Sequence, residues 1–222
     1  MKIALVGRGK MGRAVEHLAR ARDWEISCIC GADRPLDQGA LARADVVIEF
    51  TRPDAAPGNI ERILSWKKNL VVGTTGWTSR LDEVREWVRR SDCGMVYGSN
   101  FSIGMNLVFQ LCEQAGKLFA GAGFSPFIFE AHHSAKKDAP SGTARELQAR
   151  LEPLSGKEVS ISSLRAGNFP GTHVVGFDSQ FETVTLKHEV RDRQVFAEGA
   201  LHAAQWVIGK KGLFTFAETL KD

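Results

Sequence analysis

The sequence is poor in cysteine and has no long apolar run. Its 222 residues include four cysteines, at positions 28, 30, 93 and 112, and none of their spacings is typical of a metal site. Reduced core thiols are the expected state. No apolar run approaches the roughly 20 residues that a membrane helix needs, and residues 2–6 are too few for a signal-peptide core. We expect a cytoplasmic protein with no membrane partner.

An excess of charge of one sign is also missing. The chain has 29 Lys and Arg residues against 26 Asp and Glu residues, a net charge of +3. The basic residues are scattered and form no block like those of nucleic-acid-binding tails. This balance argues against nucleic acid as a partner. The mild positive bias suits an anionic cofactor and substrate.

The first hundred residues alternate between short apolar runs and helical patterns. Strands are predicted over residues 2–6, 24–30, 45–50, 70–73 and 94–97, with helices after the first strand and over 59–66 and 81–90. Such alternation indicates right-handed βαβ units and a parallel sheet.

The pattern changes near Asn100. A long helix is predicted over residues 102–119, followed by a strand over 124–130, a helix over 143–151, strands over 158–165, 173–178 and 181–190, and a last helix over 195–208. The predicted fold class is therefore α/β, with an N-terminal Rossmann-type dinucleotide-binding domain followed by an α+β domain.

A glycine motif lies between the first strand and the first helix. Strand, turn and helix in this order make Gly7-x-Gly9-x-x-Gly12 a dinucleotide signature, in which glycines allow a tight turn and close approach of a pyrophosphate to the helix N-terminus. The residues expected to contact the cofactor here are Gly7, Arg8, Gly9, Lys10, Met11 and Gly12.

Two charged residues after the second strand bear on which cofactor binds. An acidic residue such as Asp33 favours the ribose diol of NADH, and an arginine such as Arg34 favours the 2′-phosphate of NADPH. Because the two are adjacent, the choice between NADH and NADPH stays open. Either residue taken alone could equally be a solvated loop charge.

Two further loops follow predicted parallel strands at their carboxyl ends, where open α/β sheets bind ligands. Each alone is more often a plain turn, but as a set they favour a site with hydrogen-bonding groups for a nicotinamide or ribose. The candidate residues are Gly73, Thr74, Thr75, Ser99, Asn100 and Phe101.

Residues 130–144 concentrate acid–base chemistry. Imidazole titrates nearest neutrality, so one of His132 and His133 is a candidate proton donor, and Lys136 offers a fixed positive charge. Adjacent strand residues face opposite ways. The two histidines are therefore not expected to bind one metal ion together, and no cysteine or carboxylate spacing completes a site. We expect no metal.

The same segment ends in a turn that can open a helix. Backbone amides at Ser141-Gly142-Thr143 would bind a substrate carboxylate, and Thr143 with Glu146 predicts a capping box. Without other context, a solvated loop with a capped helix explains the segment equally well. His188 is expected to be structural, and His173 gives no prediction.

These motifs together resemble the dihydrodipicolinate reductase family of the diaminopimelate–lysine pathway. The resemblance runs nearly end to end, and its most specific part is the His-His…Lys…Asp-Ala-Pro-Ser-Gly-Thr motif. The segments that carry it are residues 7–12, 50–53, 73–76, 100–104, 130–143, 164–167, 170–173 and 196–201.

The resemblance implies an NADH- or NADPH-dependent reductase. In that family a cyclic imine dicarboxylate, 4-hydroxy-tetrahydrodipicolinate, receives a hydride and loses its hydroxyl as water to give tetrahydrodipicolinate. Residues 1–101 plus 191–222 would form the dinucleotide-binding domain. Residues 102–190 would form a substrate-binding domain whose sheet builds a homotetramer.

The resemblance also assigns roles to residues. His132 and Lys136 would take the proton-donor roles. The dicarboxylate would be held by His133, Ser141, Gly142 and Thr143. Phe50 would join the strand-end loops and the glycine loop at the cofactor.

The sequence departs from longer family members in two places. The connection over residues 31–44 is short, so a helix or strand there is expected to be missing, and the glycine loop is one residue tighter. Two alternatives stay open: another two-domain NAD(P)-dependent dehydrogenase, and a non-catalytic cofactor-binding homologue.

Overall fold

The computed structural model of the protein describes residues 1–221, so Asp222, the end of the predicted first domain, lies outside the described residues. The chain divides into two compact units. The first unit begins with Met1–Ser102 and resumes at Gln194, and the second is Ile103–Arg193. No helix of the described chain is both long and apolar enough to cross a membrane.

The first unit is built on a six-stranded sheet in the order β10-β5-β4-β3-β1-β2, and its strand pairs are parallel. The strands are β1 Lys2–Val6, β2 Glu25–Cys30, β3 Val46–Glu49, β4 Asn69–Val72, β5 Gly94–Tyr97 and β10 Gly212–Thr215. The α-helices are α1 Lys10–Ala21, α2 Gln38–Leu41, α3 Ala56–Ser65, α4 Leu81–Ser91 and α7 Gln194–Trp206. This confirms the predicted Rossmann-type α/β class.

Burial explains why these segments form a covered parallel sheet. Strands β1, β3 and β4 are nearly continuous runs of Val, Ile, Leu and Ala, as expected of strands covered on both faces. Helix α1 presents Val15 and Ala19, both fully buried, on one face. Strand β3 ends in a polar residue, Glu49, at the carboxyl edge of the sheet.

One α-helix and one strand of the first unit were not predicted. The short connection over residues 31–44 contains the one-turn helix α2 and no named strand, and its shortening relative to longer family members stays a prediction. A one-turn helix is too short to show a helical period, but Asp37 caps it by accepting from the amides of Gly39 and Ala40, both at 3.0 Å. Strand β10 is the other, and it pairs with β5 at the edge of the sheet.

The second unit has a four-stranded mixed sheet in the order β7-β6-β8-β9. Its strands are β6 Ser125–His132, β7 Ser160–Arg165, β8 Thr172–Asp178 and β9 Thr183–Glu189, and its helices are α5 Ile103–Gly121 and α6 Gly142–Ser155. Strands β6 and β7 are parallel, and the other two pairs are antiparallel. Ile128, Val175 and Phe177 pack against Phe109 and Leu147 of the two helices.

Candidate functional site

In the glycine loop of the first unit, two of the three glycines are required by the protein itself. Gly7 has φ +104°, and a Cβ there would lie 2.0 Å from the carbonyl oxygen of Phe50. A Cβ on Gly12 would lie 2.0 Å from the carbonyl oxygen of Gly7. These two glycines therefore allow the tight turn and the close packing of α1 against the sheet.

Gly9 is different, because no atom lies within 4 Å of the position where its Cβ would be. It is the N-cap of α1, in extended conformation and without a side-chain capping bond. An open cradle in front of unsatisfied helix amides is what a pyrophosphate needs. The loop therefore fits a dinucleotide on grounds of shape as well as sequence.

A cleft of about 390 Å³ adjoins this loop and is lined by Arg8, Asp33 and Arg34, among others. Asp33 lies in a tight turn closed by two backbone hydrogen bonds between Gly31 and Arg34, at 2.8 and 3.3 Å. The fold thus brings the two predicted ribose-reading residues beside the glycine loop. Lys10 and Met11 lie in the first turn of α1.

The carboxyl ends of β3 and β4 are tied together by a buried acid that the sequence analysis did not single out. Glu49 is fully buried, and the hydroxyls of Thr51 and Thr74 hydrogen-bond to its carboxyl group. The Thr74 hydroxyl also accepts from the amide of Thr51 at 2.7 Å. Burial raises the pKa of Glu49. The sequence signal that could have identified Glu49 is its position as an acid at the end of the apolar run Val46–Glu49.

The remaining predicted cofactor residues differ in exposure. Thr75 and Ser99 are exposed. A Cβ on Gly73 would lie 2.0 Å from the ring of Phe50, so that glycine lets the two loops close on each other. Phe101 is only 3% exposed. Asn100 Oδ1 accepts from the amide of Ser102 at 2.8 Å.

The ring of Phe101 is a core group. It packs against Phe216 at 4.7 Å between ring centroids and against Phe50 at 6.1 Å. Any cofactor contact at Phe101 would therefore come from its backbone.

In the second unit, Glu130 lies at the centre of a buried polar cluster. Its Oε1 accepts from the Ser141 amide at 3.0 Å, from Ser163 Oγ at 2.7 Å and from Arg165 Nη2 at 2.7 Å. Burial opposes ionisation, but the bonds from Ser141, Arg165 and Ser163 outweigh it and lower the pKa of Glu130 to about 2. Glu130 is therefore a carboxylate at neutral pH.

The second oxygen of Glu130 faces two histidines. Oε2 lies 3.4 Å from His132 Nδ1 and 3.6 Å from His173 Nε2, and His173 Nε2 also lies 3.2 Å from Ser141 Oγ. Burial lowers the pKa of His132, and it lowers that of His173 to about 4. Both imidazoles are mainly neutral at neutral pH. His173 belongs to the cluster, although its sequence position gave no prediction.

This cluster corrects the expectation that no carboxylate completes a metal site with the histidines. Ligand atoms of Glu130, His132 and His173 all lie within 4.8 Å of one another. Residues 130 and 132 share a strand face, and the register pairs Glu130 with His173. However, the Arg165 guanidinium on the same carboxylate and the nearby Lys136 charge oppose a divalent cation. The chemistry that these groups favour is acid–base.

The loop after β6 carries the remaining predicted side chains. His133 is half-buried, and its carbonyl accepts from the Lys136 amide at 3.0 Å. Lys136 Nζ lies 2.8 Å from Asp138 Oδ1. An anionic substrate that binds Lys136 must compete with this ion pair.

The start of α6 differs from the prediction. Ser141 is the N-cap, and its Oγ accepts from the Ala144 amide at 3.2 Å. The predicted capping box of Thr143 and Glu146 is therefore wrong, because the chain offers two hydroxyls two residues apart and the earlier one caps. Gly142 is exposed, with no atom within 4 Å of a Cβ position, so the helix N-terminus is open there.

A glycine cradle at a Rossmann-type sheet and a buried carboxylate–histidine cluster are parts that an NAD(P)H-dependent oxidoreductase uses. Comparison with known protein families identifies the kind of oxidoreductase. "Dihydrodipicolinate reductase, N-terminus" matches residues 1–101, and "Dihydrodipicolinate reductase, C-terminus" matches residues 104–220. The chain belongs to the dihydrodipicolinate reductase family.

Individual relatives agree with this assignment. The chain is 34% identical to a 4-hydroxy-tetrahydrodipicolinate reductase of Christiangramia forsetii, covering 100% of this chain and 98% of the relative. It is 36% identical to one of Rickettsia bellii, covering 96% and 92%. A solved dihydrodipicolinate reductase from a Paenisporosarcina species, bound to dipicolinate, has a TM-score of 0.83 at 23% identity and 98% coverage of both chains.

Proposed function

We propose that this protein reduces 4-hydroxy-tetrahydrodipicolinate to tetrahydrodipicolinate in the diaminopimelate–lysine pathway. The observation that carries the proposal is the pairing of His132 with the buried carboxylate of Glu130, at the start of the loop that holds Lys136. When bound, NADH or NADPH supplies a hydride. The substrate also takes up one proton and releases its hydroxyl as water, so atoms and charge balance.

His132 and Lys136 are the proposed proton-donor residues, and the Lys136 ammonium is also the proposed partner for a substrate carboxylate. His132 lies at the end of β6 and is 8% exposed. A dianionic substrate adds negative charge near this imidazole and raises its pKa, which favours the imidazolium that donates. Lys136 would release the Asp138 carboxylate and bind a substrate carboxylate in its place.

The helix start and the adjacent histidine would hold the dicarboxylate. The open N-terminus of α6 at Gly142 and Thr143 suits a carboxylate because helix amides and the helix dipole favour negative charge. The Ser141 hydroxyl is occupied by the Ala144 amide and His173, so Ser141 contributes mainly by fixing that helix start. His133 would add a further donor.

The cofactor would lie on the glycine loop of the first unit, with the pyrophosphate at Gly9 and the adenosine ribose in the cleft beside it. Asp33 and Arg34 both line that cleft, so both NADH and NADPH find a partner there. The strand-end loops would complete the cofactor site, through Phe50, Gly73, Thr74, Thr75, Ser99, Asn100 and Phe101.

The test is a kinetic assay with freshly generated substrate and each cofactor in turn. With wild-type protein, the absorbance of the reduced nicotinamide should fall only when the substrate is present. His132→Gln should lower turnover about 10²–10⁴-fold, the usual contribution of a general acid, and should retain cofactor affinity. No substrate-dependent oxidation of either cofactor by the wild type would end the assignment, and full turnover in the variant would remove His132 from the reaction.

We also propose that the outer face of the second unit's sheet assembles a homotetramer. Helices α5 and α6 cover one face, where Ile128 is buried. Because side chains alternate along a strand, Phe127 and Phe129 lie on the other face. On that face Phe129 is 36% exposed and Leu164 of β7 is 41% exposed. Light scattering should give the mass of four chains, and Phe129→Asp should lower it. A monomeric wild type would contradict this assembly.

A reducing compartment such as the cytoplasm is the proposed location. All four cysteines are buried and unpaired. This is the state expected of thiols in a reducing environment.

A further inference from the structure

We infer that Glu130 is a positioning residue that fixes which nitrogen of His132 exchanges its proton with the substrate. The expected effect on turnover, the catalytic half of the inference, rests on the proposed function. The tautomer of His132 is inferred from the geometry of the buried cluster alone.

The two oxygens of Glu130 have different surroundings. Oε1 accepts three hydrogen bonds, from Ser141, Ser163 and Arg165. Oε2 is buried and, within the described part of the chain, has no hydrogen-bond partner. Three donors fix the orientation of the carboxylate, so Oε2 has to point at the histidines.

His132 is the better match for Oε2. His173 Nε2 lies closer to Ser141 Oγ, at 3.2 Å, than to Oε2, at 3.6 Å. His132 Nδ1 lies 3.4 Å from Oε2 and, among the described residues, has no hydrogen-bond partner. The two atoms face each other without forming a hydrogen bond, as catalytic pairs often do before substrate binds and tightens the contact.

The proton on His132 follows from this contact. A neutral imidazole carries one N–H. Placing it on Nδ1 lets His132 Nδ1 act as the donor that faces Glu130 Oε2, so each of these two buried atoms has a complementary neighbour. The other tautomer would set the Nδ1 lone pair against a carboxylate oxygen at 3.4 Å. Nε2 is then the nitrogen that gains and loses a proton. The imidazolium formed at Nε2 keeps its Nδ1–H on Glu130, which stabilises the donor form.

Glu130→Gln is expected to reverse this arrangement. Only the amide oxygen of glutamine can accept the three donors at the Oε1 position. Its NH₂ group then replaces Oε2 and donates to His132 Nδ1, which forces the neutral proton onto Nε2 and disfavours the imidazolium. In serine proteases a carboxylate-to-amide change that imposes the wrong histidine tautomer lowers kcat about 10⁴-fold.

The experiment is ¹⁵N NMR of histidine-labelled protein, at a pH where the imidazoles are neutral, with His132→Gln used to assign the His132 signals. The wild type should show Nδ1–H at His132, and Glu130→Gln should show Nε2–H with kcat lowered about 10²–10⁴-fold. Glu158→Gln, the same change at an exposed position of this unit, should alter neither.

An Nε2–H tautomer at His132 in the wild type would overturn the inference, whether or not Glu130→Gln folds. A Glu130→Gln protein with wild-type kcat would overturn the catalytic half. If the wild type fails to oxidise either cofactor, the proposed function fails, while the spectrum still reports whether Glu130 fixes the tautomer.

Discussion

Glu49 in the first unit and Glu130 in the second are both fully buried glutamates, but their surroundings shift the carboxyl pKa in opposite directions. Glu49 is bonded by hydroxyls and by the Asn59 amide, which do not offset the cost of burying a charge, so its pKa is raised. Glu130 has the Arg165 guanidinium as well as hydroxyl and amide donors, and its pKa falls to about 2. A buried carboxyl thus has a raised pKa where only hydroxyl and amide groups contact it, and a lowered pKa where a guanidinium joins them.

The largest expected effect comes from removing each carboxyl in turn. Glu130→Ala leaves Arg165, whose side chain is 15% exposed, without its carboxylate, so we expect a loss of about 3–5 kcal/mol in the free energy of unfolding. Glu49→Ala separates no ion pair among the residues that the structure describes and should cost less. Urea unfolding of both variants measures the difference, and an equal or greater loss for Glu49→Ala would contradict the comparison.

The second largest expected effect is a difference between the Glu130 and Glu49 carboxyls in how stability depends on pH. The pKa of Glu130 falls from an ordinary 4.5 to about 2 on folding. Its contribution is therefore fully present above the ordinary value and is lost as pH falls through the folded value. This loss amounts to about 3 kcal/mol. Unfolding curves of Glu130→Gln and wild type should converge as the pH is lowered, and a constant gap would refute the shift.

The smallest effect is expected for Glu49→Gln, which mimics a protonated carboxyl. A raised folded pKa means that the contribution of Glu49 is present at low pH and declines as pH rises through that pKa. At neutral pH the variant should lie within about 1 kcal/mol of the wild type or be more stable. The stability difference measured across the pH range checks the sign. A large loss at neutral pH would contradict the raised pKa of Glu49.

The comparison also shows what could be predicted from the sequence. The placement of Glu130 and His132 on one strand face follows from their spacing, and the strand–turn–helix context of the glycine motif was enough to predict the dinucleotide cradle. Both depend on residues close together in the chain. The α/β class was predictable for the same reason, because apolar runs and helical periods alternate locally.

The rest depends on pairing between distant strands. Glu130 lies opposite His173 only because β6 pairs with β8 in that register, and Arg165 reaches Glu130 only because β7 runs parallel to β6. Neither register has a local sequence signal. Strand β10 is an edge strand of four half-buried residues, too short for its period to distinguish it from a loop.

Gly9 has a practical consequence. Unlike Gly7 and Gly12, its hydrogen could be replaced by a methyl group without touching any atom of the protein within 4 Å. Gly9→Ala should therefore fold normally and lose only the nucleotide. Such a chain would allow calorimetry of dicarboxylate binding free of any turnover, and would show how much affinity the second unit provides by itself.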